Sequence, residues 1–220
     1  MTQRSTEAAS TAPTPAARLL PAGAPDTIRQ AAGWLRRGLP VVFPTDTVYG
    51  VGVLPFDAAA IDRLYTAKGR PAEKGIPILL ADAADLPLVA RDVPPVARTL
   101  MARHWPGPLT LVVPRRPELP DNLSPDDTVA VRVPDHPVAR ALIRAAGGAV
   151  ATTSANRTGE APARTGDEAL AALGATVAAV LDDGPSPGGV ASTVIDCTVE
   201  PLVVLRAGPL SAADLGLSER

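Results

Sequence analysis

Short β-branched runs take turns with helix-period segments along nearly the whole chain, and this alternation limits the fold more than any other feature. Residues 27–37 carry apolar positions at helical spacing (Ile28, Ala31, Ala32, Leu35) and stop at Gly38, a residue suited to a left-handed helix end. Val41–Phe43 follows as a short buried strand that Pro44 closes. Asp57 is placed to cap a helix whose Ile61, Leu64 and Tyr65 share one face, ending at Gly69. The same reading gives strands at 76–80, 109–113, 128–134, 149–153, 192–196 and 202–206. It gives helices over 93–104 and 136–148 and near 167–173. Strands that alternate with helices predict an α/β domain with a twisted, open, mixed or parallel sheet, largely buried.

Composition narrows the class. Of 220 residues, 46% are hydrophobic and 20% charged, which suits a folded domain of one core; no repeat or internal boundary divides it. We expect a flexible tail over residues 1–25, rich in Ala, Pro, Ser and Thr, one domain over 26–212, and a short C-terminal tail over 213–220. Aromatics are 3% and the net charge is −2, which argues against serial base stacking and against nucleic-acid binding by bulk positive charge. A single cysteine, Cys197, excludes an internal disulfide. With two separated histidines it supplies too few soft ligands for a structural zinc site. No apolar run reaches the roughly 20 residues of a membrane span. These features predict a cytoplasmic protein with no membrane partner.

Familiar nucleotide and hydrolase signatures are missing. There is no GxxxxGK[ST], the glycine-rich stretch 184–193 has no lysine after its glycines, and Gly50 and Gly52 are followed by Pro55 where GxGxxG needs its third glycine. GxSxG is absent too. What remains is polar and cationic chemistry at strand ends. Lys68, Arg70 and Lys74 share a Gly- and Pro-broken loop, which is either a solvated basic turn or an anion site. In 128–134, Val129, Val131 and Val133 face one way and Thr128, Ala130 and Arg132 the other, so Arg132 is partly buried and needs an anion, from an Asp or Glu or from a ligand. Arg206 repeats the pattern at the end of its strand. Thr152, Thr153, Ser154 and Asn156 follow another strand, as turn caps or ligand contacts, and Thr45, Asp46, Thr47 and Tyr49 follow a third. Ligands of open α/β sheets bind beyond the carboxyl ends of strands. Four such exits describe a pocket for an anionic, polyhydroxylated ligand such as a nucleoside triphosphate. Trp34 and Trp105 read as packing aromatics, His104 and His136 as capping or surface residues, and Cys197 as a small buried hydrophobe.

The blocks PTDTVYGVG, Lys68-x-Arg70-Pro71, WPGPLTLV, TVAVRVP, Ser154-x-Asn156 and the pair Ser192 and Arg206 occur in one order from about Ile28 to Leu210. In this the chain resembles the YrdC/Sua5 family of L-threonylcarbamoyladenylate synthases, in the short form without the Sua5 C-terminal domain. The resemblance implies a sheet enclosing a deep concave cavity. It implies a reaction of L-threonine, bicarbonate (or CO2) and ATP that gives threonylcarbamoyl-AMP and pyrophosphate. The product would pass to a tRNA threonylcarbamoyl-transferase complex for the N6-threonylcarbamoyl group of adenosine 37. Carried over by position, threonine would meet Thr47, Arg132, Thr152 and Ser192. ATP would meet Lys68, Arg70, Lys74, Thr128, Ser154, Asn156 and Arg206, with Lys68 and Arg70 the catalytic cations and Mg2+ on the phosphates. No carboxylate is implied as its ligand beyond Asp46 as a candidate. The family histidine that follows the Arg-Pro pair is absent here, where the chain reads Lys74-Gly75-Ile76-Pro77. Two other readings stand beside the synthase: a double-stranded-RNA or ribosome-associated module with weak tRNA contact at a basic cavity mouth, and a carbamoyl-adenylate-forming domain.

Overall fold

A computed structural model describes residues 17–69, 71 and 74–217. Ten strands form one mixed sheet: β1 (Arg18–Pro21), β2 (Val41–Phe43), β3 (Gly50–Val53), β4 (Ile78–Leu80), β5 (Leu109–Pro114), β6 (Thr128–Arg132), β7 (Ala149–Ser154), β8 (Ala179–Asp182), β9 (Thr193–Asp196) and β10 (Val203–Arg206). Their order across the sheet is β1-β8-β2-β3-β7-β4-β6-β5-β9-β10. Five helices accompany them: α1 (Thr27–Arg36), α2 (Ala58–Lys68), α3 (Pro95–His104), α4 (Pro137–Ala146) and α5 (Gly166–Leu173).

Local chemistry sets these elements as read from the sequence. Asp57 caps α2 by accepting from the Ala60 amide at 3.0 Å, and Gly69 ends it in the left-handed region at φ 57°. Gly38, at φ 71°, turns the chain from α1 toward β2. The period of two then sorts each strand between two cores. Val42, Ile78, Leu80, Ala151, Val180 and the three valines at 129, 131 and 133 pack with α2, α3 and α5 in the larger one. Val41, Phe43, Leu79, Val150 and Leu181 face the other way and pack with α1 and α4. Among the described residues the sheet is thus covered on both faces, with α1 and α4 on the second.

Three strands escape the sequence reading. β1 lies within the expected tail but pairs parallel with β8, Arg18 to Ala179 through Pro21 to Asp182, and Leu19 packs against the larger core. The expected tail is therefore wrong for 18–21; residues 1–16 lie outside the described residues. Leu215 is buried in the same core, so 213–217 is not a free tail either. Among the described residues no helix is long and apolar enough to cross a membrane.

Candidate functional site

The face of the sheet that α1 and α4 cover is apolar beneath the helices and polar beyond them. Two residues on from Phe43 stands Thr45, two on from Val150 stands Thr152, and Arg132 pairs in register with Leu79. These polar positions, with Thr110 of β5, open onto a hollow of about 240 Å³. Thr47, Arg132, Thr152, Ser154, Ser192 and Arg206 all line it, as do Thr45, Tyr49 and Gly50.

Arg132 is 5% exposed and fully directed. Its Nε donates to the Gly107 carbonyl at 2.9 Å, one terminal nitrogen to Thr47 Oγ1 at 2.9 Å, and the other to Asp46 Oδ1 at 2.5 Å. The anion required by burial is thus Asp46. Burial lowers the Arg132 pKa from its ordinary value, Asp46 counters that, and Arg206 lowers it further, which places the two guanidiniums within electrostatic reach of each other. The segment before β5 wraps this group. Trp105 Nε1 donates to the Leu109 carbonyl at 2.7 Å, and Gly107 has no room for a side chain, since a Cβ would lie 2.5 Å from the His104 carbonyl oxygen.

Arg206 donates from Nε to the Ser192 carbonyl and from a terminal nitrogen to Ser192 Oγ, both at 3.0 Å. Ser192 Oγ is 2.7 Å from Thr110 Oγ1, a residue the sequence reading missed because it sits inside an otherwise apolar strand. The chain crosses so closely after Arg206 that a Cβ on Gly208 would lie 2.3 Å from the Thr193 amide nitrogen. The glycine-rich stretch 184–193 finds its explanation here. Gly188 and Gly189 donate to the carbonyls of Asp46 and Thr47 at 3.0 and 2.7 Å, seating that loop on the exit of β2.

The hydroxyl protons are largely committed. Thr45 donates to the Val48 carbonyl at 2.6 Å, so in the 3.0 Å contact between Thr45 and Thr47 the donor is Thr47. Thr152 donates to the Val150 carbonyl at 3.0 Å. Thr47 and Thr152 therefore offer only lone pairs to a guest. Tyr49 donates within the fold, with Asp182 Oδ1 at 2.9 Å and the Gly184 carbonyl at 2.7 Å, and burial pushes its phenol pKa up, so it is a strut and not a base. Burial also pushes the Cys197 thiol up to about 11.

Other expected residues lie off this wall. Lys68, buried, bonds to the Ser154–Asn156 turn and is not among the residues that line the hollow. Asn156 donates from Nδ2 to the carbonyls of Arg157 and Glu160 at 2.8 and 2.9 Å. Lys74 is exposed. Thr128 shares the Arg132 face of β6 but four residues away, about 13 Å at ~3.3 Å per residue, and bonds to Asp126. Arg70 lies outside the described residues. His136 is buried and not a surface residue; its Nδ1 has no partner in the structure. Among the described residues no cluster of three or more His, Cys, Asp or Glu side chains is placed to hold a metal.

Known proteins share this architecture. The Sua5/YciO/YrdC family model, described as "Telomere recombination", matches residues 34–208. A curated threonylcarbamoyl-AMP synthase of Bacillus subtilis is 41% identical over 84% of this chain and 54% of its own length. A putative threonylcarbamoyl-AMP synthase of Mycobacterium tuberculosis is 40% identical over 84% of this chain and 85% of its own. The crystal structure of Pyrococcus abyssi Sua5 complexed with L-threonine superposes with a TM-score of 0.83 at 40% identity, covering 86% of this chain and 56% of that one. The chain thus spans about half the length of the Bacillus and Pyrococcus proteins. On the family model and these identities, the chain belongs to the Sua5/YciO/YrdC family.

Proposed function

We propose that the chain is a nucleotidyltransferase that makes threonylcarbamoyl-AMP and pyrophosphate from L-threonine, bicarbonate (or CO2) and ATP. The observation that carries this reading is the polarity of the hollow. Arg132 has five N–H groups and uses three, which leaves one on each terminal nitrogen, a pair suited to both oxygens of a carboxylate. In the same hollow Thr47 and Thr152 can only accept, which suits an ammonium and a hydroxyl. A small zwitterion with a hydroxyl group satisfies both ends. The volume of about 240 Å³ is below the roughly 300–1,000 Å³ of drug-sized sites, so an amino acid fills it and a nucleotide extends outward past Ser154 and Arg206. The L-threonine bound by the Pyrococcus relative supports the same assignment.

In this reaction the threonine amine first adds to CO2 and loses a proton, giving a carbamate. A carbamate oxygen then attacks the α-phosphorus of ATP, and pyrophosphate leaves with its electron pair. Among the described residues, no side chain that lines the hollow is assigned a nucleophile's role. The protein contributes by holding the reactants together and by setting cations against the charge that grows on pyrophosphate. Arg206 lines the hollow for that role, and Arg70 is assigned to it by the family resemblance. Mg2+ would arrive as the counter-ion of ATP, held by phosphate oxygens and water; Asp46 Oδ1 is engaged by Arg132 and is not free to form a cage. The adenylate would pass to a separate transferase acting on tRNA.

The test is to incubate the purified chain with ATP, L-threonine and bicarbonate and to follow pyrophosphate and the labile acyl-adenylate. Both products should appear, and both should vanish when threonine or bicarbonate is withheld. Serine, which lacks a methyl group worth about 1–3 kcal/mol, should support residual turnover, and valine far less, because it leaves the polar groups unpaired. Pyrophosphate release indifferent to threonine, or valine used as readily as serine, overturns the reading. RNA affinity without turnover would indicate a binding module instead.

A further inference from the structure

We propose that Lys68 is a positioning residue, not a ligand of the triphosphate; this rests on the nucleotide reading of the Ser154–Asn156 turn. Lys68 is 3% exposed. Its Nζ donates to the carbonyl oxygen of Ser154, to that of Asn156 at 2.7 Å, and to Asn156 Oδ1 at 3.3 Å. An ammonium has three N–H donors, and three acceptors of one turn converge on this one. The Lys68 carbonyl meanwhile accepts from the Thr158 amide at 3.0 Å. One residue thereby gathers both sides of the turn that leaves β7, the turn whose Ser154 lines the hollow.

The choice of side chain fits this use. Of the 21 lysine and arginine residues in the sequence, only Lys68 and Lys74 are lysines. A compact ammonium can meet three acceptors converging from one side, whereas a planar guanidinium spreads its donors in a fixed fork. Lys68 is also the last residue of α2, and Gly69 at φ 57° turns the chain away immediately after it. The clamp therefore fixes the C-terminal end of α2 against the Ser154–Asn156 turn.

Because the chain holds two lysines, amine acylation of the unmodified protein, read by mass spectrometry, tests the first half. Lys74, exposed, should be labelled, while Lys68 should stay unlabelled equally with and without ATP. Labelling of Lys68 in the free protein that ATP then blocks would overturn the proposal. The second half needs Lys68→Met in two backgrounds, with ATP affinity measured by calorimetry. In the native background the loss should be at least about tenfold with threonine affinity retained; in Ser154→Ala/Asn156→Ala it should fall within about twofold, since the turn whose backbone carbonyls Lys68 holds then presents no side chain to the nucleotide. Equal losses in both backgrounds identify a direct phosphate contact and sink the idea. Amide exchange of residues 154–160 in ligand-free Lys68→Met should also quicken, and unchanged exchange counts against it. If the unmodified chain binds no ATP, the nucleotide reading fails, while labelling and exchange still decide whether Lys68 anchors the turn. If Lys68→Met does not fold, the labelling experiment decides alone.

Discussion

At the scale of single residues, the site depends on a charge taken out of water and answered nearby. Arg132 and Asp46 have side chains only 6% and 12% exposed, and they meet at 2.5 Å. Such a pair gains little over apolar packing, but breaking it strands a charge, which costs about 3–5 kcal/mol. Asp46→Ala should therefore lower the unfolding free energy by about that amount in urea titrations. Asp46→Leu combined with Arg132→Met should recover a good part of the loss while abolishing threonine binding. A double variant no more stable than Asp46→Ala would show that the pair is not the source of the cost. The burial of Arg132 was legible in the sequence, because strict alternation in 128–134 places it opposite three valines. Its partner was not. Asp46 lies 86 positions away, and nothing local distinguishes an aspartate that answers an arginine from one that caps a turn.

At the scale of elements, what the alternation rule found and what it missed have physical causes. Strands with a clean period or a solid β-branched run were found. β3 is Gly-Val-Gly-Val, so half of its pattern is blank, and it reads as an incomplete dinucleotide loop. Its glycines serve the neighbouring strand instead. Gly50 pairs with Ser154 and Gly52 with Thr152, and a Cβ at Gly52 would lie 2.6 Å from Val150 Cγ1 and 2.9 Å from Thr152 Oγ1. Gly52→Ala should thus destabilise by about 1–3 kcal/mol through overpacking, although Ala ordinarily favours strands over Gly, and it should weaken threonine binding by displacing Thr152. A variant as stable as the parent would mean that β7 yields easily there. β8 follows the apolar end of α5 so closely that its own period is lost, and β1 hides in a segment whose composition reads as unstructured. In both cases pairing with a distant strand, not propensity, makes the strand.

At the scale of the whole molecule, the hollow exists because α1 and α4 stop short of covering their face of the sheet, and His136 stands at that border as the residue before α4. Its ring is buried, its Nδ1 has no partner, and Asp183 is 3.9 Å from Nε2, beyond hydrogen-bond reach. Asp183, Asp46 and Asp135 all pull its pKa upward, yet burial prevails and holds it below 6.5. The native protein therefore keeps His136 neutral at a pH where the unfolded chain already takes up the proton. Between the unfolded value near 6.5 and the lower native one, the unfolded state binds more protons, so stability falls as the solution is acidified. The slope from this one group is at most about 1.4 kcal/mol per pH unit. Urea unfolding between pH 5 and 7.5 should show His136→Gln, neutral throughout, losing less stability than the parent across that window, with the two curves parallel above pH 7. A parent whose stability falls no faster than that of His136→Gln would mean that the three carboxylates, and not burial, govern the ring.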